Sequence, residues 1–492
     1  MHLVDMPDLR SAIHLIGLLV AALGLSMLAP MAADLIDGDA NWRGFGVSAF
    51  LCAVTGGLIA AASKTPRGAR GLSIQETFLL TSLCWLLLPV FGALPFMFGA
   101  PGATVTDAFF EAMSGLTTTG STVFSGLDHM PRGTLLWRGM LQWFGGVGIV
   151  VVAMAFLPAL RVGGMQVFRS EAFDTFGKIL PRAGEIAISI SWVYAGLTLT
   201  CILAYAACGM SLFDAVVHAM TSISTGGFAN YDASLGHFPP QVEYVSSVFM
   251  LLASLPFVRL VQLASGEARP IFRDEQVRAF LLAIFAFALA ILAFRMVTDP
   301  VPHAAGFEQH LRETLFNTVS IITGTGYASE NYVSWGSFPA AAFFLMGLVG
   351  GCAGSTCCSV KIFRYQIVAA AVWSQIQRIH SPHGVFAPRF AGHAVDEDVI
   401  SSVMGFLFMF FLTLAVLSVA MGMLGYDTVT AISGAATALG NIGPGLGDII
   451  GPAGNFAPLS DAAKWLLALG MLLGRLELMG VYVLLTLSFW RG

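Results

Sequence analysis

Four short segments of this chain share one pattern, and they constrain its fold more than any other feature. They read DAFFEAMSGLTTTG (107–120), DAVVHAMTSISTGG (214–227), ETLFNTVSIITGTG (313–326) and TAISGAATALGNIG (430–443). Each opens on a mixed apolar stretch, then runs through small and hydroxyl residues into a glycine. Each also lies between two apolar stretches long enough to cross a bilayer, which takes roughly 20 residues. Such stretches fall near 11–33, 45–63, 74–98, 135–158, 186–209, 243–264, 277–297, 337–359, 399–424 and 463–489. The last eight therefore divide into four units of span, short segment, span. The first two stand outside the pattern.

The composition agrees. Hydrophobic residues make up 56 % of the 492 and charged ones 11 %, where a soluble domain carries about 25 % charge. So few charges cannot cover a water-facing surface of this size. A large soluble enzyme is excluded, and so is a nucleic-acid binder, since the net charge is −5 and no basic domain exists. The expected class is an all-α polytopic membrane protein with ten transmembrane helices. The connections are short and leave no room for a folded domain outside the membrane. The start, MHLVDMPDLR, leads into a run of span length, so it reads as the approach to a first span and not as a cleaved leader.

Basic residues set the orientation. With a cytoplasmic N-terminus, the inside connections are 64–73, 160–184, 265–276 and 360–398. These hold or flank Lys64, Arg67, Arg70, Arg161, Arg169, Lys178, Arg182, Arg259, Arg269, Arg273, Arg278, Lys361, Arg364, Arg378 and Arg389, most of the 24 basic residues. That asymmetry is the positive-inside pattern, and ten spans put both termini in the cytoplasm. The seven cysteines give no external disulfide framework. Cys357 and Cys358 are read as small buried residues in preference to a metal site.

The short segments cannot cross the membrane. Thr104, Ser211 and Asp427 stand three residues before Asp107, Asp214 and Thr430, which is approximate capping-box spacing; His310 before Glu313 is a weaker version. Each segment is thus expected to start as a half-length helix and to end inside the membrane at its glycine. Extended backbone there is tolerated when it is buried in protein or lines a wet cavity. Four such endings around one axis can turn their carbonyls inward and replace the hydration shell of a potassium ion. Glycine admits the backbone angles this needs and leaves no side chain in the way. Two alternatives stay open: packing of spans through Gly and Thr, and an inverted-repeat secondary transporter with broken helices.

The stretches MSGLTTTGSTVFSG, MTSISTGGFANYD, ITGTGY and TALGNIGPGLG resemble the TrkH/TrkG/TrkI potassium-uptake proteins of bacteria, within the Trk/Ktr/HKT superfamily, and the resemblance covers almost the whole chain. It implies four membrane–pore–membrane repeats around a single pore plus two N-terminal helices, with divisions at 1–72, 73–160, 161–265, 266–370 and 371–492. It assigns the filter glycines to Gly120, Gly227, Gly326 and Gly443. Thr118, Thr119, Thr225, Gly226, Thr325 and Ile442 belong to the same turns and complete the ion-contacting set. Glycine at 120, where sodium-favouring relatives often carry serine, points to potassium. The fourth copy departs most, with Ile442 in place of threonine; its side chain is expected to face protein.

GLVGGCAGSTCCS (347–359) interrupts its span. By the resemblance this is an intramembrane loop that gates the pore, with Gly350, Gly351, Gly354 and Ser355 among its residues; close packing through small residues is the alternative reading. Arg475 lies near the middle of the last span, where a charge is expensive. The resemblance makes it a gating residue pointing into the pore, against the alternative of a buried ion pair or a snorkelling side chain. Glu477, two residues on, need not face it. Arg295, near a span end, reads as ordinary. Asp107, Asp214 and Glu313 are read as capping residues first and as cation attractors second. The acids of the external connections (Asp34, Asp37, Asp39, Asp128, Asp232, Glu243, Asp299, Glu308 and Glu330) would help cations enter.

No GxxxxGK[ST] motif is present, so ATP hydrolysis by this chain is not expected. GGVGIVV (145–151) reads as packing inside a span. The expected function is potassium uptake across the bacterial inner membrane through a selective, gated pore, with K⁺ as the transported ion and neither an enzyme activity nor a cofactor. A potassium symporter coupled to protons or sodium is the alternative, and a non-conducting membrane scaffold is a third class. The resemblance further implies a homodimer and a peripheral cytoplasmic TrkA-type nucleotide-binding subunit. The basic connections could equally meet anionic lipid.

Overall fold

A computed structural model describes residues 9–64, 74–155, 164–165, 183–298 and 306–491. Arg67, Arg70, Arg161, Arg169, Lys178, Arg182 and Asp299 lie outside the described residues. Seven helices are long and apolar enough to cross a membrane: Arg10–Asp37, Trp42–Ala62, Gln75–Phe98, Arg132–Val152, Glu185–Ala207, Glu275–Thr298 and Glu397–Met423. An eighth crossing results if the pair Pro240–Ala253 and Phe257–Ala264 is one span, although the two are bent by 101°. Pro256, which cannot continue the helical hydrogen bonding, stands at that break.

The other two expected spans are interrupted. Ser337–Val349 is a helix of 13 residues that stops at Gly350, and Asp461–Arg475 is separated from Met479–Leu484 by a turn with positive φ at Glu477 and Leu478. The connection 360–398 is also more than a short polar link. It holds a 19-residue helix, Ile362–His380, and a two-stranded hairpin, Arg389–Phe390 with His393–Ala394.

The first two helices pack backbone to backbone. A β-carbon on Gly17 would fall 2.6 Å from the Ala60 amide nitrogen, and one on Gly56 would fall 2.5 Å from that of Ala21. Small residues permit this approach in membranes, where helix packing gains little from the hydrophobic effect.

The four short helices are Val105–Leu116, Leu212–Ile223, Gly306–Ile322 and Thr428–Gly440. Three start as their capping residues predict. The side chains of Thr104 and Ser211 accept from the amides of Asp107 and Asp214, and Asp427 accepts from Val429 and Thr430. The bonds from Thr430, first its hydroxyl and then its amide, hold the Asp427 carboxyl below its ordinary pKa. The third copy differs: its helix begins at Gly306, so His310 is not its cap and Glu313 lies in its middle. Glu313 instead pairs with the buried Arg295 at 2.9 Å, and that guanidinium stacks over Trp335. Arg295 therefore joins a span to a short helix and is not an ordinary end-of-span charge. Asp107 pairs with Lys464 at 2.6 Å, tying the first short helix to the last unit.

Candidate ion pathway

Each short helix ends on a residue in the left-handed conformation: Thr118 (φ 53°), Thr225 (φ 50°), Gly324 (φ 74°) and Asn441 (φ 52°). The amide after three of these reaches back into the last turn, from Thr119 to Ser114, Gly226 to Thr221 and Ile442 to Thr437, at 2.8–2.9 Å. In the third copy Gly326 takes this role toward Ser320 at 3.1 Å. This is the Schellman way of closing a helix. Two β-branched threonines at positive φ are backbone outliers, held there by their surroundings. Two residues further on, Gly120 (φ 85°), Gly227 (φ 77°) and Gly326 (φ 80°) are left-handed again. These left-handed residues keep the turns from running as β-strands, whose φ is negative throughout. Gly443, which precedes Pro444, does not share the positive φ.

The four glycines meet. A β-carbon on Gly120 would fall 2.1 Å from the Gly226 carbonyl oxygen, one on Gly227 1.8 Å from that of Thr325, and one on Gly326 2.6 Å from the Gly443 amide nitrogen. One on Gly443 would lie 3.2 Å from the Gly120 oxygen, which closes the ring in chain order. All four line a single vestibule of about 220 Å³, with Ser121, Thr122 and Asp232 on its wall. The threonine hydroxyls brace the ring. Thr119 bonds Thr117 at 2.7 Å and accepts from Asn441 at 2.9 Å, and Thr325 bonds Thr323 at 2.8 Å. Ser121 donates to the Gly443 carbonyl, and Gln142 donates to that of Gly226 while accepting from the Phe228 amide.

A further brace recurs in every unit. The fifth position of the motifs is Glu111, His218, Asn317 and Gly434. Glu111 accepts from the amide of Val123, His218 from Asn230 and Asn317 from Ser329, each twelve residues further on. In the fourth unit, where glycine stands at this position, the adjacent Ser433 accepts from Leu446 at 2.9 Å. The chain leaving each glycine is thus pinned to its own short helix, and its buried amide is satisfied. Glu111 is itself held by Arg138 at 2.8 Å, both fully buried, and Arg138 also donates to the Ala229 carbonyl of the next unit.

On the side away from the vestibule lies the loop 350–361. Gly350, Gly354, Ser359 and Lys361 have positive φ, and the loop is buried throughout. It fills the break of the bent pair: Cys352 donates to the Ser254 carbonyl, Thr356 to that of Ala253, and Phe257 to that of Gly354. The bend at Pro256 is therefore the seat of the loop. Thr225 donates to the Thr356 hydroxyl at 3.1 Å, so the loop touches the chain that feeds the glycine ring.

Arg475, 1 % exposed, reaches the same loop. It donates to the Thr356 carbonyl at 3.3 Å, to Cys358 Sγ at 2.5 Å and to the Gly145 carbonyl at 2.9 Å. Its guanidinium lies 5.3 Å from the Trp85 ring centre, and its Nε is buried without a partner. Glu477 does not face it; that carboxylate pairs with Lys361 at 2.6 Å and Arg364 at 2.5 Å. The charged groups under the ring are therefore a pinned triad beside an arginine that ties the loop to the first unit.

The residues predicted for the ring come together: Thr118, Thr119, Gly120, Thr225, Gly226, Gly227, Thr325, Gly326, Ile442 and Gly443 all belong to the four converging turns. Ile442 is 4 % exposed and packs toward Gly347 and Gly440, so its side chain faces protein. Gly350, Gly351, Gly354 and Ser355 shape the loop, while contact with Arg475 runs through Thr356 and Cys358. Sequence reasoning missed Gly324, Asn441, Gln142 and the fifth-position braces. A signal for Glu111 and Arg138 was present, since charges inside apolar stretches are expensive and seldom idle. Several external acids are committed to structure. Asp34 accepts from the Gly133 amide and Asn41, Asp232 from the amides of Gly126 and Leu127, and Glu243 from Arg312. Among the described residues no three His, Cys, Asp or Glu side chains group to hold a metal ion.

A multi-pass helical membrane protein whose four short helices lead to glycines around one vestibule suits ion transport. Residues 47–489 match the cation transport protein family TrkH. The chain is 43 % identical to the Trk system potassium uptake protein TrkI of Halomonas elongata over 97 % of this chain and 96 % of that protein. It is 36 % identical to TrkH of Vibrio parahaemolyticus over 98 % and 99 % of the two chains, and 31 % identical to TrkG of Escherichia coli over 98 % and 99 %. The crystal structure of the potassium transporter TrkH from Vibrio parahaemolyticus superposes with a TM-score of 0.88 at 32 % identity, over 98 % of this chain and 99 % of that one. The chain belongs to the TrkH family, a family of transporters and not of enzymes.

Proposed function

We propose that this chain takes up potassium across the bacterial inner membrane through one central pore. The observation that carries the proposal is the closure of Gly120, Gly227, Gly326 and Gly443 around a single vestibule in chain order. Carbonyls of four short chains offer the oxygen ligands that replace an ion's water. The negative ends of the four short helices favour a cation at the same place. The braces behind the ring hold its oxygens in place, and the size of the ring and the field strength of its carbonyls both bear on discrimination between ions of equal charge. The relatives that match over their full length are named potassium uptake proteins, which supports K⁺ as the cargo.

In this reading each of the four units 73–160, 161–265, 266–370 and 371–492 supplies one quarter of the ring, the two helices of 1–72 stand outside it, and ten crossings leave both termini in the cytoplasm. Broken helices count as crossings: Ser337–Val349 continues through the loop into Ile362–His380, and Asp461–Arg475 continues into Met479–Leu484. The loop 350–361 closes the path below the ring. Arg475 is its latch, a fixed positive charge that a cation must pass and a tether that holds the loop shut. The basic connections suit a nucleotide-binding partner of the TrkA type or anionic lipid, and a homodimer of such chains carries two pores.

The test is ⁸⁶Rb⁺ uptake into potassium-loaded liposomes carrying the purified chain. Uptake driven by the potassium gradient alone, inhibited weakly by Na⁺, is the expected result. Gly120→Ser is expected to lose that discrimination, and Arg475→Ala to raise basal flux. Uptake that requires an imposed proton or sodium gradient would replace the pore with a symporter.

A further inference from the structure

A second cavity, of about 610 Å³, lies away from the glycine ring, between the first helix and the helices of the first two units. Leu19, Leu88, Phe144 and Val151 represent its walls, which are overwhelmingly apolar. Its mouth opens on the flank of the helices, at exposed Leu19, Ala22 and Ser191, beside Trp192 and Leu199, which are also exposed. Those helices are long and apolar enough to cross a membrane, so what surrounds the mouth is hydrocarbon.

The few hydroxyls in the wall are already satisfied. Ser26 donates to the Leu23 carbonyl, Thr81 to that of Thr77 and Ser191 to that of Ala187. The carbonyl of Gly145 is taken by Arg475. A buried water needs two to four polar partners, and this wall leaves few free. A void of this size without partner atoms also forfeits dispersion contacts along its whole lining.

The inner end of the cavity has a position of consequence. Trp85 and Gly145 both line it, and both hold Arg475, one through its ring and one through its carbonyl. Leu116, the last residue of the first short helix, lines it too.

We propose that an acyl chain of a bilayer phospholipid enters this cavity from the side and packs against Trp85 and Gly145, and that its presence sets the position of Arg475 and hence the hold on the loop. The chemistry is apolar contact alone: a flexible hydrocarbon chain matches a dry, laterally open cavity, and the surrounding bilayer supplies it in excess. The binding half of this proposal stands independently of ion conduction; the coupling half rests on the pore and latch described under Proposed function.

Gly148 offers the means to test it. It lines the cavity, and a β-carbon there would meet only the Trp85 ring, at an ordinary 3.9 Å. Gly148→Phe fills the inner end, and Ala22→Trp blocks the mouth from an exposed position that folding tolerates. The full chain is reconstituted in phosphatidylcholine vesicles containing a lipid with a photoactivatable diazirine on its acyl chain, irradiated, and mapped by peptide mass spectrometry; ⁸⁶Rb⁺ flux is measured on the same vesicles. The expected result is labelling at Leu80–Leu88 and Val147–Val152 that is lost in both variants, while labelling at Trp192 persists, and a basal flux that changes in the same two variants. Labelling confined to exposed faces such as Trp192 and Leu203 would overturn the site. Cavity labelling lost in the variants with flux unchanged would overturn the coupling. If the unmodified chain carries no flux at all, the transport reading fails, and the labelling still decides whether the lipid site exists.

Discussion

At the scale of single residues, equivalent positions carry unequal steric demands. Gly120, Gly227 and Gly326 combine a left-handed backbone with a neighbour's backbone atom inside the volume of a β-carbon, while Gly443 has neither a positive φ nor a contact closer than 3.2 Å. Gly227→Ala and Gly443→Ala are thus expected to differ. The first forces the Thr325 carbonyl out of the ring and should abolish selective ⁸⁶Rb⁺ uptake. The second should retain a substantial fraction of it, measured in the same liposomes at matched protein content. Equal loss in both would mean that the ring tolerates no side chain at any position, whatever its backbone. The fourth copy is also the one that departs most in sequence, with Ile442 before its glycine and Pro444 after it. The apolar side chain of Ile442 has nowhere to go but into protein.

At the scale of elements, each short helix is joined to its outgoing chain by a side chain, at the motif's fifth position in the first three copies and at Ser433, one residue earlier, in the fourth. Glu111 has the largest part, because Arg138 depends on it. Glu111→Ala leaves a buried guanidinium uncompensated, which costs about 3–5 kcal/mol. Asn317→Ala removes a neutral brace and leaves an amide to be satisfied elsewhere, which costs about 1–3 kcal/mol. The order of effect should appear as a larger drop in the thermal midpoint in detergent for Glu111→Ala, and as a wider loss of ion discrimination. The helix starts were legible from sequence wherever a hydroxyl or an aspartate stood three residues ahead, since capping is a contact between near neighbours. The third unit escaped because its helix begins a turn earlier, and because its acid is recruited by Arg295, a partner 18 residues away that no local rule selects.

At the scale of the whole molecule, the distribution of basic residues and the count of spans lead to one expected outcome. A phosphatase fused after residue 492 should be inactive and a fluorescent protein fused there should glow, as for a cytoplasmic end. The reverse would mean that one broken helix, Ser337–Val349 with its loop or Asp461–Arg475 with its turn, enters and leaves on the same side. The count is sensitive to these elements because a window of hydropathy cannot tell a continuous span from two half-spans around a buried loop. Both bury the same apolar residues, and only the second can accommodate a loop that satisfies its backbone on a neighbouring break.

The sequence by itself determined the membrane class, the four matched motifs, the glycine that ends each one and the family, because hydropathy, capping and turn chemistry act over a few residues and survive as pattern. It did not determine what the tertiary structure decided. The order in which the four turns close on one another, the seating of the loop in the break at Pro256, the tie of Arg475 to Thr356 and Gly145, and the pairing of Glu477 with Lys361 and Arg364 all join residues far apart in the chain. Such contacts are fixed by which helix packs on which, and no local propensity encodes that choice.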